Sequence, residues 1–180
     1  MVMANQRLTD KTELAEQVGS GDLLMVVDVN DTTGSAQGTS KKQDFKYLMQ
    51  TDKISLSNAE ILDLETNEKV LVGALSGYMI TVFNVTVLCT HNMPTESARR
   101  DIFFGFEDTS DSVYWSKIDD IMDSIGEDVS YVTQAQDQAR SYSSLGSLIN
   151  KPFVCWAQNS GFNGGWTADV YVTYAYTKVL

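Results

Sequence analysis

Phe162-Asn-Gly-Gly-Trp-Thr-Ala-Asp-Val-Tyr-Val-Thr-Tyr-Ala-Tyr-Thr-Lys-Val-Leu180 decides the fold class. Asn163-Gly164-Gly165 is a turn signal. After it Ala168, Val170, Val172, Tyr174 and Tyr176 alternate with Asp169, Tyr171, Thr173 and Ala175. A period of two in β-branched and aromatic side chains marks a strand with one buried face. A strand this long and apolar is not stable by itself, so further strands must cover it. No helix and no Lys-Ser/Thr follows the Gly-Gly pair, so it reads as a hairpin turn and not as a phosphate-cradling loop.

Working back from this strand, Phe153 to Ala157, Val129 to Thr133 and Ile102 to Phe106 are short apolar runs that read as strands. Lys69 to Leu75 and Tyr78 to Thr90 read as two more, with Ser76-Gly77 between them. In the second, Met79, Thr81, Phe83, Val85, Val87 and Cys89 share the inward face expected from strict alternation, with Asn84 and Thr86 outward. Trp115, Ile118, Ile121, Met122 and Ile125 recur at helical spacing and predict about three turns of helix, ended by Gly126. Residues 54 to 64 read as a linker and 134 to 147 as a loop. Several short strands separated by turns predict a mainly β chain with a jelly-roll-like antiparallel β-sandwich over residues 54–180.

Residues 1–53 form a different kind of segment, a small α/β unit. Asp10-Lys11-Thr12-Glu13 has the form of a capping box, followed by Leu14, Ala15 and Val18 as a short apolar stripe. Asp22-Leu-Leu-Met-Val-Val-Asp28 is a continuous apolar run suited to a buried strand. Ser40-Lys-Lys-Gln43 offers a second capping box, with Phe45, Leu48 and Met49 as the apolar face of another short helix. Helices this short need a surface to lean on.

The order Asp22-Leu-Leu-Met-Val-Val-Asp-Val-Asn-Asp-Thr-Thr-Gly34, then Gly38-Thr-Ser-Lys-Lys42, resembles the opening module of virion proteins of tailed bacteriophages. That module precedes the outer parts of tail fibres, tail spikes and head fibres. Asn150-Lys-Pro-Phe-Val154, the Gly-Gly turn and the closing Val-Tyr-Val-Thr-Tyr strand resemble, more loosely, the end of small β-sandwich domains of phage virions. The resemblance implies a non-enzymatic structural component made in a host bacterial cytoplasm and carried in the virion. It implies a homotrimer, a head fibre, capsid decoration or tail fibre, attached to other virion proteins by its N-terminus. Leu14, Val18, Leu23, Leu24, Val26, Phe45 and Leu48 are then the attachment and assembly residues. With one outer domain and no stalk, heptads or repeats, a capsid-surface location is preferred to a long tail fibre.

Composition bounds the alternatives. Of 180 residues, 43% are hydrophobic and 21% charged, which is ordinary for a folded domain and argues against wholesale disorder. The net charge of −11 argues against nucleic acid as a partner. Apolar runs are too short for membrane insertion, and residues 1 to 10 are too polar for a secretory signal. Cys89 and Cys155 lie in expected strands; buried free thiols are the plain reading and a disulfide the alternative.

Catalytic, cofactor and metal residues are not expected, and a polysaccharide-degrading enzyme with paired carboxylates stands last among the alternatives. His91 is the one histidine, which starves triads and His-based metal sites. Asp28 to Thr39 has the outline of a calcium loop, but its glycine is one position late and Thr39 stands where glutamate is needed. Asp119, Asp120 and Asp123 fall on a solvated helix face. Trp156, Trp166, Tyr171, Tyr174 and Tyr176 cluster on the last two strands. Core packing is one reading. The other is a platform for host cell-surface glycans, with Trp156, Trp166 and Tyr171 stacking on sugar faces.

Overall fold

The computed structural model describes residues 23–28, 30–33, 39–44, 48–106, 114–135, 148–157 and 161–179. The chain forms two compact units, Met1–Tyr47 and Leu48–Leu180, so the boundary expected after residue 53 falls inside a strand of the second unit.

In the first unit β1 (Leu23–Asp28) pairs antiparallel with β2 (Thr39–Asp44), Leu23 opposite Asp44 and Asp28 opposite Thr39. The apolar run is a strand, as expected. Ser40 to Gln43 is not a helix start, because β1 needs ladder partners and this segment supplies them. Asp31 accepts from the N–H and the hydroxyl of Thr33 and pairs with Lys41 of β2 at 2.7 Å, which ties the bend at Thr33 to the second strand. Those contacts use the carboxylate that a calcium loop would have offered. The helix expected from Asp10 lies outside the described residues.

Among its described residues the second unit has eight strands and one short helix. In order they are β3 (Gln50–Leu56), α1 (Asn58–Asp63), β4 (Lys69–Val72), β5 (Tyr78–His91), β6 (Ile102–Gly105), β7 (Ser116–Ile118), β8 (Val129–Thr133), β9 (Phe153–Ala157) and β10 (Trp166–Lys178). One sheet has the order β3-β10-β5-β8 and the other β4-β9-β6-β7, with every neighbouring pair antiparallel. Except at β6–β7, the chain changes sheet at each step. This interleaved strand order is the jelly roll.

β10 lies between β3 and β5, which answers the demand its apolar face makes. Ala168, Val170, Val172 and Tyr174 are buried on that face, and Trp166 shares their parity. Opposing residues from the other sheet, including Phe104, Phe153 and Cys155, close the core with Ile61 and Leu64 from the α1 region.

Four local expectations are corrected. In β5 the ladder shifts where Asn84 faces Thr173 and Val82 faces Tyr174, so Phe83 is an extra residue. Alternation therefore changes phase: Val85, Val87 and Cys89 are buried as expected, but Ile80 is buried and Phe83 is exposed. Residues 115–125 are not helical. Ser116–Ile118 pair with β6, and Asp120, Met122 and Ser124 take φ of 46°, 62° and 57°, which interrupts any α-helix. Two backbone N–H groups go to distant partners, Ile121 to Arg100 O at 3.0 Å and Met122 to the Tyr131 hydroxyl at 3.1 Å, while those of Asp123 and Ile125 close local turns onto Asp120 O and Met122 O.

Residues 54–64 are not a linker but the end of β3 and all of α1. Ser57 caps the helix through Glu60 N–H, while the Glu60 carboxylate takes the Ser57 N–H at 2.9 Å. Finally, the Gly-Gly turn does not close a hairpin: β9 and β10 belong to different sheets, and the turn carries the chain across between them.

Candidate interaction surface

The outer face of the β3-β10-β5-β8 sheet is built by register. Lys53 and Thr86 flank Tyr171; Ser55 and Leu88 flank Asp169; Val132 and Ser130 continue these rows on β8. Several of its polar groups pair with one another. Thr51 and Thr173 hydroxyls are 3.0 Å apart, Ser55 donates to Asp169 at 2.6 Å, and Thr81 and Thr177 are 2.8 Å apart. Lys53 pairs with Asp169 at 2.8 Å and lies 5.9 Å from the centre of the Tyr171 ring. The Asp169 hydrogen bond holds the Lys53 ammonium above its usual range, and Lys53 in turn holds the Asp169 carboxyl below its own. Leu88, Phe83 and Val132 are exposed on β5 and β8, Val132 to 67%.

At one end of this face Ser55, Ser57, Glu60, Thr90, Thr167 and Asp169 line a cleft of about 320 Å³. Its carboxylates are already engaged, Glu60 by Lys69 and Ser57, Asp169 by Lys53 and Ser55. The rest of the tyrosine cluster turns inward. Tyr174 donates to Asp52 at 2.7 Å and Tyr176 to the Gly73 carbonyl at 2.7 Å. Burial first, and the Asp52 carboxylate second, push the Tyr174 phenol well above its ordinary range.

The two tryptophans offer no open ring, which corrects the sugar-platform expectation. Trp166 is 0% exposed, edge-on to Phe162 at 5.3 Å, with its indole N–H on Glu96 at 3.3 Å. Trp156 is 3% exposed and stacks on Phe103 at 5.8 Å, in a separate cluster with Val154 and Tyr114 on the far side of the second sheet. A side chain on Gly105 would meet Trp156 at 2.8 Å, so the indole lies against bare backbone there. Parity along β10 already placed Trp166 with the core; β9 is apolar throughout and buries both faces. Tyr171 alone of the three stays on the open face, half-buried.

Of the expected assembly residues, Leu23, Leu24 and Val26 share β1, while Leu48 is exposed in the second unit. Leu14, Val18 and Phe45 lie outside the described residues. Cys89 and Cys155 are free, buried thiols, each pushed up to about 12 by burial. His91 ends β5, its backbone N–H on Asp128 at 2.8 Å and its ring 3.4 Å from the Thr95 hydroxyl.

Sequence reasoning missed Glu96. In the polar 91–101 loop, it is 1% exposed. Its carboxylate accepts from the N–H groups of Ser97 and Ala98 at 2.9 Å each, and from Asn163 at 2.9 Å, Gly164 at 3.1 Å and the Trp166 indole. It pins the Gly-Gly turn to the loop after β5. A lone glutamate in a polar loop carries no sequence signal for this, because its partners are remote.

No family model and no curated protein matches the chain. Among solved structures it is similar to a chain of the acidic stable capsid of Helicobacter pylori bacteriophage KHP30, at 17% identity and TM-score 0.39, covering 74% of this chain and 94% of that one. It is also similar to chains of the Kashmir bee virus virion, at 10% identity and TM-score 0.30 over 100% of this chain and 96% of that one. A third likeness is to the Israeli acute paralysis virus particle, at 11% identity and TM-score 0.31 over 94% and 96%. Likeness at this level assigns neither family nor function.

Proposed function

We propose that the chain is a non-enzymatic structural component of a tailed-phage virion, a homotrimeric capsid-surface fibre or decoration anchored through its N-terminal unit. The observation that carries this reading is the pairing of two features in one chain. A separate N-terminal unit bears an Asp-flanked apolar strand, Asp-Thr-Thr and Gly-Thr-Ser-Lys-Lys in an order that resembles phage attachment modules, and a jelly roll follows it. In those modules such a unit lies next to the particle. Jelly rolls serve viral shells and lectins alike, so the fold is consistent with display on a particle without dictating it.

The chain's acidity fits the same reading. A body with net charge −11 stays soluble and is repelled by packaged nucleic acid, which suits a part on the outside of a particle. The receptor-binding alternative keeps Tyr171 but loses both tryptophans, which are buried.

Particles assembled with a chain lacking its first 47 residues test the reading. The truncated protein is expected to be folded yet missing from purified virions, while the full chain co-sediments with them and appears in an electron cryo-microscopy map as a three-fold projection on the capsid. A full-length chain missing from virions ends the proposal.

A further inference from the structure

We infer that the outer face of the β3-β10-β5-β8 sheet is the surface on which a second copy of this chain packs; the inference rests on the homo-oligomer proposed above and names the face that makes it. Three properties of the face combine. The first is charge. Among its described side chains the face carries Lys53 and Asp169 as its charges, and these cancel each other at 2.8 Å, although the whole chain is at −11. Two like-charged copies repel wherever acidic surfaces meet within a Debye length of about 8 Å. A self-neutralised face lets them approach without that cost. A basic partner would choose the acidic surfaces instead.

The second property is apolar exposure. Leu88 and Phe83 are exposed along β5, and Val132, directly beside Thr86 on the neighbouring strand, is the most exposed of the three. On the second sheet Phe103, Val154 and Trp156 on the outer side are buried, and the exposed hydrophobic Val70 sits alone on its edge strand β4 among the described residues. The third is hydrogen bonding. The Thr51–Thr173, Thr81–Thr177 and Ser55–Asp169 pairs occupy those side chains with one another along β3, β10 and β5, and Lys53 lies over Tyr171. A pleated, charge-poor face that centres on an aromatic residue and exposes Leu88, Phe83 and Val132 has the make-up of the core of a protein interface.

Sedimentation velocity on the full chain at micromolar concentration tests this, with Leu88→Glu/Val132→Glu as the variant and Val70→Glu, on the other sheet, as control. The wild type and the control are expected to sediment as the same oligomer. The double variant should raise the dissociation constant at least about tenfold and sediment as monomer, with its circular dichroism spectrum unchanged. Should the variant misfold, hydrogen exchange of the wild type across a dilution series replaces it, with amides and flanking residues of β5 and β8 losing protection as the oligomer dissociates. An oligomer indifferent to both substitutions, or exchange there that ignores dilution, overturns the face and leaves the trimer standing. A wild type that is monomeric throughout overturns the face and the trimer together, and a glycan array bound through Tyr171 would assign the face to sugars instead.

Discussion

The carboxylate of Glu96 accepts the backbone N–H of Gly164 at 3.1 Å across 68 residues of chain, tying the loop that leaves one central strand to the turn that enters the other. Including Ser97, Ala98, Asn163 and Trp166, five N–H groups converge on one buried side chain. Removing it orphans the buried donors of Gly164 and Trp166 and leaves those of Ser97, Ala98 and Asn163 to water. Glu96→Ala is expected to destabilise the fold by about 3–5 kcal/mol. Glu96→Gln, which keeps one accepting oxygen but points an amide N–H₂ at donors, should lose about half as much. Urea denaturation midpoints of the two variants measure this; a Glu96→Ala midpoint equal to wild type removes the clasp from the account.

The same crossing limits what Gly165 can become. Its φ is +84°, and a Cβ there would fall 1.6 Å from the Pro94 carbonyl oxygen, a backbone atom that cannot rotate away. Its own N–H and C=O are held by Asn58 at 2.8 Å and Asn92 at 2.6 Å, so the turn has little freedom to shift. Gly165→Ala is expected to cost about 3 kcal/mol or more, since left-handed strain adds to the clash. Gly126→Ala, where a Cβ meets nothing within 4 Å, should change stability by less than about 1 kcal/mol. Comparable thermal midpoints for the two variants would contradict this geometry.

Cys89 and Cys155 give a chemical readout of core integrity. Burial pushes both thiols up to about 12, so at pH 8 the thiolate is on the order of one part in ten thousand. A thiol-specific disulfide reagent should label neither residue in the native protein and both after unfolding in guanidinium. Rapid native labelling would mean the sandwich opens readily around β5 and β9.

These tests fall on features of unequal legibility in the sequence. β10, β9, β8 and β6 were readable because each is an uninterrupted apolar or alternating run, and the sandwich followed from them. β3 was not, because an exposed edge strand reading Gln-Thr-Asp-Lys-Ile-Ser-Leu owes its place to neighbours such as Tyr174 and Asp169 and not to its own pattern. Residues 115–125 misled for a related reason. Apolar side chains three and four apart also arise when a short strand is followed by turns through left-handed residues that return Ile121 and Met122 to the core. The candidate surface was partly visible: alternation placed Tyr171 and Asp169 outward, whereas the bulge that turns Phe83 out is a property of the β5–β10 ladder.

Glu60 predicts the acid limb of stability. Its carboxyl is lowered to about 2, chiefly by Lys69 and then by the N–H and hydroxyl of Ser57. A carboxyl lowered in the folded state adds stability that is present above its ordinary value of 4.5 and is lost as pH falls towards 2. The side chain is 40% exposed, so solvent screening holds the contribution to about 1 kcal/mol or less. Glu60→Gln should therefore lower stability at pH 7 by that amount and converge with wild type near pH 2, the difference closing between those two values. Urea unfolding at a series of pH values measures the gap, and a difference that stays constant down to pH 2 would show that Glu60 acts only as a helix cap and not through its charge.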